Sequence, residues 1–151
     1  MLTPGAALPR LRAATRLAAA RPGHTAATSF RTSPAFAKGG RERYGIDSST
    51  RPRIDACLAE TAKDSVRPLA LTARAARAYL DICFFHPFDD GNARSAFLTL
   101  VFVLARDGVA LNGVSLLRRI TFQADNPEDP LTLARYINLH ITETRRTTSP
   151  N

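Results

Sequence analysis

Two strongly helical segments, separated by a break of six residues, constrain this chain more than any other feature. Residues 71–85 are alanine-rich, and Ala75, Ala76, Tyr79, Leu80 and Cys83 recur at helical spacing. Pro87 disfavours helical geometry at the residue before it, so this helix is expected to end at His86. A second helix starts near Asn92, with Asn92 or Asp90 available as its cap, and Gly108 is well placed beyond its C-terminus. Residues 97–104 of that helix are apolar all round, which predicts that other elements surround it. The run is too short to cross a bilayer, which takes ~20 residues. The two helix ends must therefore point into one small volume at the break.

The flanking sequence extends this into a mainly α fold: a compact helical bundle around a central buried helix, with a small β-hairpin. Residues 53–62 carry Ile54, Cys57, Leu58 and Thr61 on one helical face. Residues 64–68 read as a linker, and residues 113–124 as a further helix. Asp129-Pro130 is a helix start, and Leu131, Leu133, Ala134, Ile137 and Ile141 point from that helix towards the core. Residues 144–151 read as a polar, frayed end. Upstream, residues 30–36 form one expected strand, residues 38–41 a turn and residues 42–46 the return strand. The expected division is a basic low-complexity segment (1–29), a domain (30–145) and a tail (146–151).

Charge is distributed unevenly. The formal net charge is +8, yet from Glu42 onward thirteen acids face fourteen bases. Before Glu42 there are seven bases and no acid: Arg10, Arg12, Arg16, Arg21, Arg31, Lys38 and Arg41. Such an arm suits nucleic acid or an acidic partner. No aromatic residue accompanies the arginines before Phe30, so a solvated Arg-rich segment is the plainer explanation and nucleic acid is not the favoured partner. The Arg- and Ala-rich start also resembles an organellar transit peptide, whereas arginines interrupt every apolar core a secretory signal would need. Cys57 and Cys83 form no disulfide framework and read as reduced core residues of a cytoplasmic protein without a membrane partner.

The break itself carries the chemistry. It reads His86-Pro87-Phe88-Asp89-Asp90-Gly91, and Asn92-Ala93-Arg94 opens the next helix. The amides of Asn92, Ala93 and Arg94 at a helix N-terminus make a natural anion site. Gly91 lets the backbone approach a phosphate, and Arg94 adds a planar fork suited to phosphate oxygens. Asp90 beside that cradle suits Mg²⁺, which takes one or two carboxylates plus phosphate oxygens. His86 is left to accept a proton near neutral pH, and Phe88 is expected to turn inward and anchor the loop. Singly, each residue also has a plain structural explanation: a helix-end histidine, a good turn, an arginine paired with Asp81 or Asp107. The joint pattern is expected by chance on the order of once in a million chains of this length. A calcium loop lacks its closing Glu, and His24 and His140 lie too far away in sequence for a zinc site.

His86, Phe88, Asp90, Gly91, Asn92 and Arg94 match the pattern His-x-Phe-x-Asp/Glu-Gly-Asn-x-Arg, and the segment resembles the signature loop of the Fic/Doc (Fido) family. The resemblance spans about residues 30–125 and implies Mg²⁺-dependent transfer of AMP from ATP to a Ser, Thr or Tyr hydroxyl of a target protein. It implies that His86 is the general base, that Asp90 binds Mg²⁺, and that Gly91 to Ala93 form the anion hole. Asn92 and Arg94 would hold the phosphates. Phe30, Arg31, Thr32 and the following turn look like the family's flap hairpin, which aligns a target segment as an added strand. Two positions depart from the pattern: Ala93 stands where a second Gly is usual, and Phe97 where a final Arg usually grips the distal phosphates. That lost contact is worth ~1.5–3 kcal/mol. The Doc branch also lacks this Arg and transfers the terminal phosphate instead. The inhibitory Ser/Thr-x-x-x-Glu-Gly/Asn motif of many members is not found, which leaves restraint to a separate antitoxin-like partner or to low intrinsic activity. Three readings follow from the sequence: a transferase, a catalytically degenerate binding module that docks partners on its flap, and a nucleic-acid-binding helical domain.

Overall fold

The computed structural model describes residues 29–62, 69–112 and 126–148. The low-complexity segment up to residue 28, the linker at 64–68 and the helix expected at 113–124 lie outside the described residues. The described chain runs β1 (Ala35–Ala37), a short 3₁₀ turn (Lys38–Gly40), β2 (Glu42–Tyr44), α1 (Thr50–Glu60), α2 (Leu71–Phe85), α3 (Asn92–Arg106) and α4 (Asp129–Thr148). The fold is mainly helical, with one antiparallel two-stranded hairpin in the register Ala35 to Tyr44, Phe36 to Arg43 and Ala37 to Glu42.

The hairpin is shorter than expected. Its first strand starts at Ala35, and Phe30 to Thr32 precede it in irregular backbone. Arg31 explains the difference: its amide donates to the Pro87 carbonyl and its buried side chain to further backbone carbonyls, so this stretch is tied to the helical body and not to the return strand. Helix α1 begins three residues earlier than expected, at Thr50. Pro52 sits in its first turn, where a missing N–H costs no helical bond. Asp47 braces the start, accepting from the Ser49 amide at 2.8 Å and from the Thr50 hydroxyl at 3.1 Å.

Helix α2 occupies the centre and packs on α1, α3 and α4. Ala75, Ala76 and Ala78 are buried, and their small side chains let neighbouring helices approach closely on more than one side. On α3, Leu100, Val103 and Leu104 are buried while Phe97, Val101 and Phe102 are only partly so, and Leu98 is 41 % exposed. Ile54 and Leu58 from α1, and Leu133, Ile137 and Ile141 from α4, complete the core at four-residue spacing. Leu131, expected inward, is exposed: it lies two residues before Leu133 and so on another side of the helix. Helix α4 also continues to Thr148, beyond the polar end expected from residue 144. Glu143 pairs with Arg146 at 2.7 Å, and the Thr147 hydroxyl bonds back to the Glu143 carbonyl, so polar side chains extend the helix locally.

Arg74, near the start of α2, pairs with Asp107, just beyond α3, which fixes the two helices antiparallel. Both side chains are largely buried. Asp81 pairs instead with Arg77 at 3.3 Å, and Arg77 reaches Glu60 on α1 at 3.0 Å. Removing one member of a buried pair strands the other charge, whereas replacing both with apolar groups does not. We therefore expect Asp107→Ala to cost ~3–5 kcal/mol in urea melts, and Arg74→Met with Asp107→Leu to cost much less than the two single changes summed. Simple additivity would contradict a coupled buried pair.

Candidate active site

The site is built where α2 stops. His86 takes a left-handed conformation, φ 44° and ψ 61°, and Pro87 after it disfavours the right-handed helical region that would continue the helix. Its amide still closes the last helical turn on the Ile82 carbonyl at 3.0 Å. A helix end leaves carbonyls without partners, and here Arg31 supplies them. Its Nε donates to the His86 carbonyl at 2.5 Å and its Nη2 to the Phe85 carbonyl at 3.1 Å. Nη2 also reaches the Gly45 carbonyl at 2.6 Å, and Nη1 the Ser33 carbonyl at 2.7 Å. The backbone amide of Arg31 adds a bond to the Pro87 carbonyl at 2.9 Å. One side chain, 2 % exposed, thus joins the hairpin, the end of α2 and the start of the loop. Arg31 was expected on a target-binding flap; its burial gives it this structural position instead. Phe30 is half-buried against the core beneath the Arg51 guanidinium, and Thr32 is exposed.

The His86 ring is constrained twice. Nδ1 lies 2.7 Å from the Cys83 carbonyl, and a carbonyl only accepts, so Nδ1 carries the proton and Nε2 the lone pair. The Tyr44 ring from β2 stacks on the imidazole with centroids 3.6 Å apart and planes 15° from parallel. Burial holds the His86 pKa below the ordinary 6.5, and the Arg31 charge acts in the same direction. The Cys83 carbonyl and Glu42 oppose that shift. The neutral imidazole, the form that can accept a proton, therefore persists below pH 6.5. The Cys83 thiol is pushed up to about 11 by burial, which keeps it protonated and unreactive.

Past His86 the chain dips into the core. Pro87 and Phe88 are buried, while Asp89 and Asp90 are exposed. Asn92 then fastens the loop: its Oδ1 accepts from the Phe88 amide at 3.0 Å and its Nδ2 donates to the Phe88 carbonyl at 2.7 Å. Both ends of the Asn92 side-chain amide are engaged in this staple, and the residue is 6 % exposed. Neither Asn92 nor Asp90 takes the cap position of α3. Gly91 does, at φ 82°, a backbone geometry that favours glycine. The first i→i−4 bond of α3 runs from Ser95 to Gly91 at 2.8 Å, so the amides of Asn92, Ala93 and Arg94 form the first turn ahead of the helical ladder. Ala93 and Arg94 are exposed on that turn. Phe97, one turn on, packs against the core.

Tyr44 and the structural position of Arg31 were the residues the sequence reading missed. The alternation of Glu42 and Tyr44 along one hairpin face was the available signal for Tyr44. Among the described residues no group of three or more His, Cys, Asp or Glu side chains could hold a metal ion. A divalent ion would accordingly rest on Asp90, with a bound polyphosphate completing its oxygen shell. The exposed carboxylate beside a helix N-terminus fits that arrangement.

His86 at the end of α2 and the first turn of α3 are thus joined by one short loop through Phe88 and Gly91. The Fic/DOC family model matches residues 12–104, and the chain belongs to that family. Its members generally carry out AMP transfer or a related transfer. The match begins inside the basic segment that composition set apart and ends within α3. No curated protein and no solved structure matches the chain. No described helix is long and apolar enough to cross a membrane.

Arg31 supplies a direct test of how the site is held. Arg31→Met should lower the unfolding free energy by ~3–5 kcal/mol, since it strips charge-assisted bonds and strands buried carbonyls. Arg31→Lys should recover little, because an ammonium lacks the planar fork. Full recovery by Lys would show that charge, not geometry, is what the site needs.

Proposed function

We propose that this protein transfers AMP from ATP to a Ser, Thr or Tyr hydroxyl of a target protein, with Mg²⁺ held at Asp90. The observation that carries this reading is the His86 ring, fixed with Nδ1 on the Cys83 carbonyl so that Nε2 is the proton acceptor, at the opposite end of a short loop from the α3 N-terminus.

In this reading the triphosphate lies over the first turn of α3, cradled by the amides of Asn92, Ala93 and Arg94 and by the Arg94 guanidinium. Gly91 keeps side-chain bulk away from the incoming phosphate. Magnesium, bound through Asp90 and phosphate oxygens, would offset the charge that develops during transfer. The target hydroxyl gives its proton to His86 Nε2 as its oxygen bonds to the α-phosphorus, and the bond to the pyrophosphate oxygen breaks. The target segment would add as a strand to the hairpin, whose outward face carries the exposed Phe36 paired with Arg43. A separate antitoxin-like protein covering this face or the loop would supply the restraint.

One observation favours a second reading. Phe97 packs against the core where the pattern usually has an arginine for the distal phosphates, so the terminal phosphate has one cationic partner fewer. That suits a nucleotide bound in the reverse direction and transfer of its terminal phosphate, or a degenerate module that binds without turnover.

The distinguishing experiment incubates the protein and its His86→Ala variant with Mg²⁺, cell lysate and ATP labelled at either the α- or the γ-phosphate. The expected result is His86-dependent label from the α-phosphate on a protein band. Label from γ alone would replace AMP transfer with phosphorylation. No His86-dependent label from either would refute the transferase.

A further inference from the structure

The tip of the hairpin and the site histidine are connected through three side chains. Strand alternation places Glu42 and Tyr44 on one face of β2. Lys38, at the 3₁₀ turn, donates to Glu42 Oε1 at 2.6 Å, and the Tyr44 hydroxyl donates to Glu42 Oε2 at 3.0 Å. The Tyr44 ring itself lies flat against the imidazole of His86, a contact that the ring makes without its hydroxyl.

The stack and the Cys83 hydrogen bond restrain different motions. A single bond from Nδ1 to the Cys83 carbonyl leaves the imidazole able to tilt about that contact, which would swing Nε2 through an arc. An aromatic plane 3.6 Å away blocks that tilt on one side. Strand β2 begins the segment whose Gly45 carbonyl is held by Arg31, so the Tyr44 ring is referenced to the same anchor as the His86 backbone.

We propose that Tyr44 is a positioning residue for the site histidine, holding the imidazole plane so that Nε2 faces the loop where transfer takes place. Its kinetic consequence rests on the transferase reading; its geometry does not. The charged groups acting on His86 are Arg31, which disfavours its protonation, and Glu42, which favours it, with Asp89 acting on Arg31. The Tyr44 ring adds to the burial that keeps the imidazole neutral. Its removal exposes the ring to water, which favours the imidazolium, so the titration of His86 moves upward towards 6.5.

The test uses the full chain, Tyr44→Phe and Tyr44→Leu, with the His86 ring protons assigned by comparison with His86→Gln. In the wild type and in Tyr44→Phe, stacking shifts the His86 ring protons upfield of their unfolded positions, and the two proteins titrate alike. In Tyr44→Leu the upfield shift disappears and the midpoint rises. In the transfer assay Tyr44→Leu lowers kcat by about 10-fold with the nucleotide KM unchanged, while Tyr44→Phe stays within about twofold of wild type. Absence of the upfield shift in the wild type overturns the proposal, and that reading needs no variant to fold. A Tyr44→Leu titration identical to wild type overturns it too, as does an equal loss of activity in Tyr44→Phe. If no nucleotide supports transfer, the transferase reading fails, and the ring shift and titration still decide the role of Tyr44.

Discussion

Everything at this site depends on the Arg31 guanidinium reaching the carbonyls at the end of α2. A helix that stops in the interior must pair its last carbonyls or pay several kcal/mol in desolvation. Here the partners come from 54 and 55 residues upstream, on a stretch that also leads into the hairpin. The consequence is geometric: the hairpin, the left-handed residue His86 and the loop towards α3 share one reference point. A planar fork with five donors can serve four carbonyls at once, which no other side chain does.

From that anchor the site follows in layers. The left-handed turn at His86 ends the helix and presents the ring, the Cys83 carbonyl chooses its tautomer, and Tyr44 faces its plane. The loop is then drawn inward by Phe88 and closed by the Asn92 amide, so that Gly91 and the first turn of α3 arrive at a fixed place. The burial that makes the core also lowers the proton affinity of His86, so stability and chemistry share one cause. The departures from the family pattern fall on α3: Ala93 stays on the exposed first turn, while Phe97 joins the core.

Much of this was legible in the sequence, and the rest was not for identifiable reasons. Helix α2 ends at Phe85, just before His86, as Pro87 dictates, because local sterics alone set that boundary. Phe88 points inward as its apolar side chain requires. Arg31 was misplaced because its partners are backbone carbonyls, which leave no mark in the identity of the residues that carry them. The staple made by the Asn92 side chain was not legible, because an amide side chain serves a ligand or a loop equally well and only the positions of the Phe88 amide and carbonyl reveal it. Leu131 was placed inward by its hydrophobicity although its angular position differs from that of Leu133, Ile137 and Ile141. The buried alanines of α2 were read as helix formers, yet their larger consequence is to let three helices meet one.

The central claim is that the loop from His86 to Arg94 is a nucleotide-phosphate site. The most direct measurement is to follow the backbone amide resonances of the folded protein while MgATP is added. The account predicts saturable shifts concentrated at Gly91, Asn92, Ala93 and Arg94, weakened when Mg²⁺ is omitted and abolished by Arg94→Glu without loss of fold. Saturable shifts confined to other parts of the chain, or none at millimolar nucleotide, would contradict it.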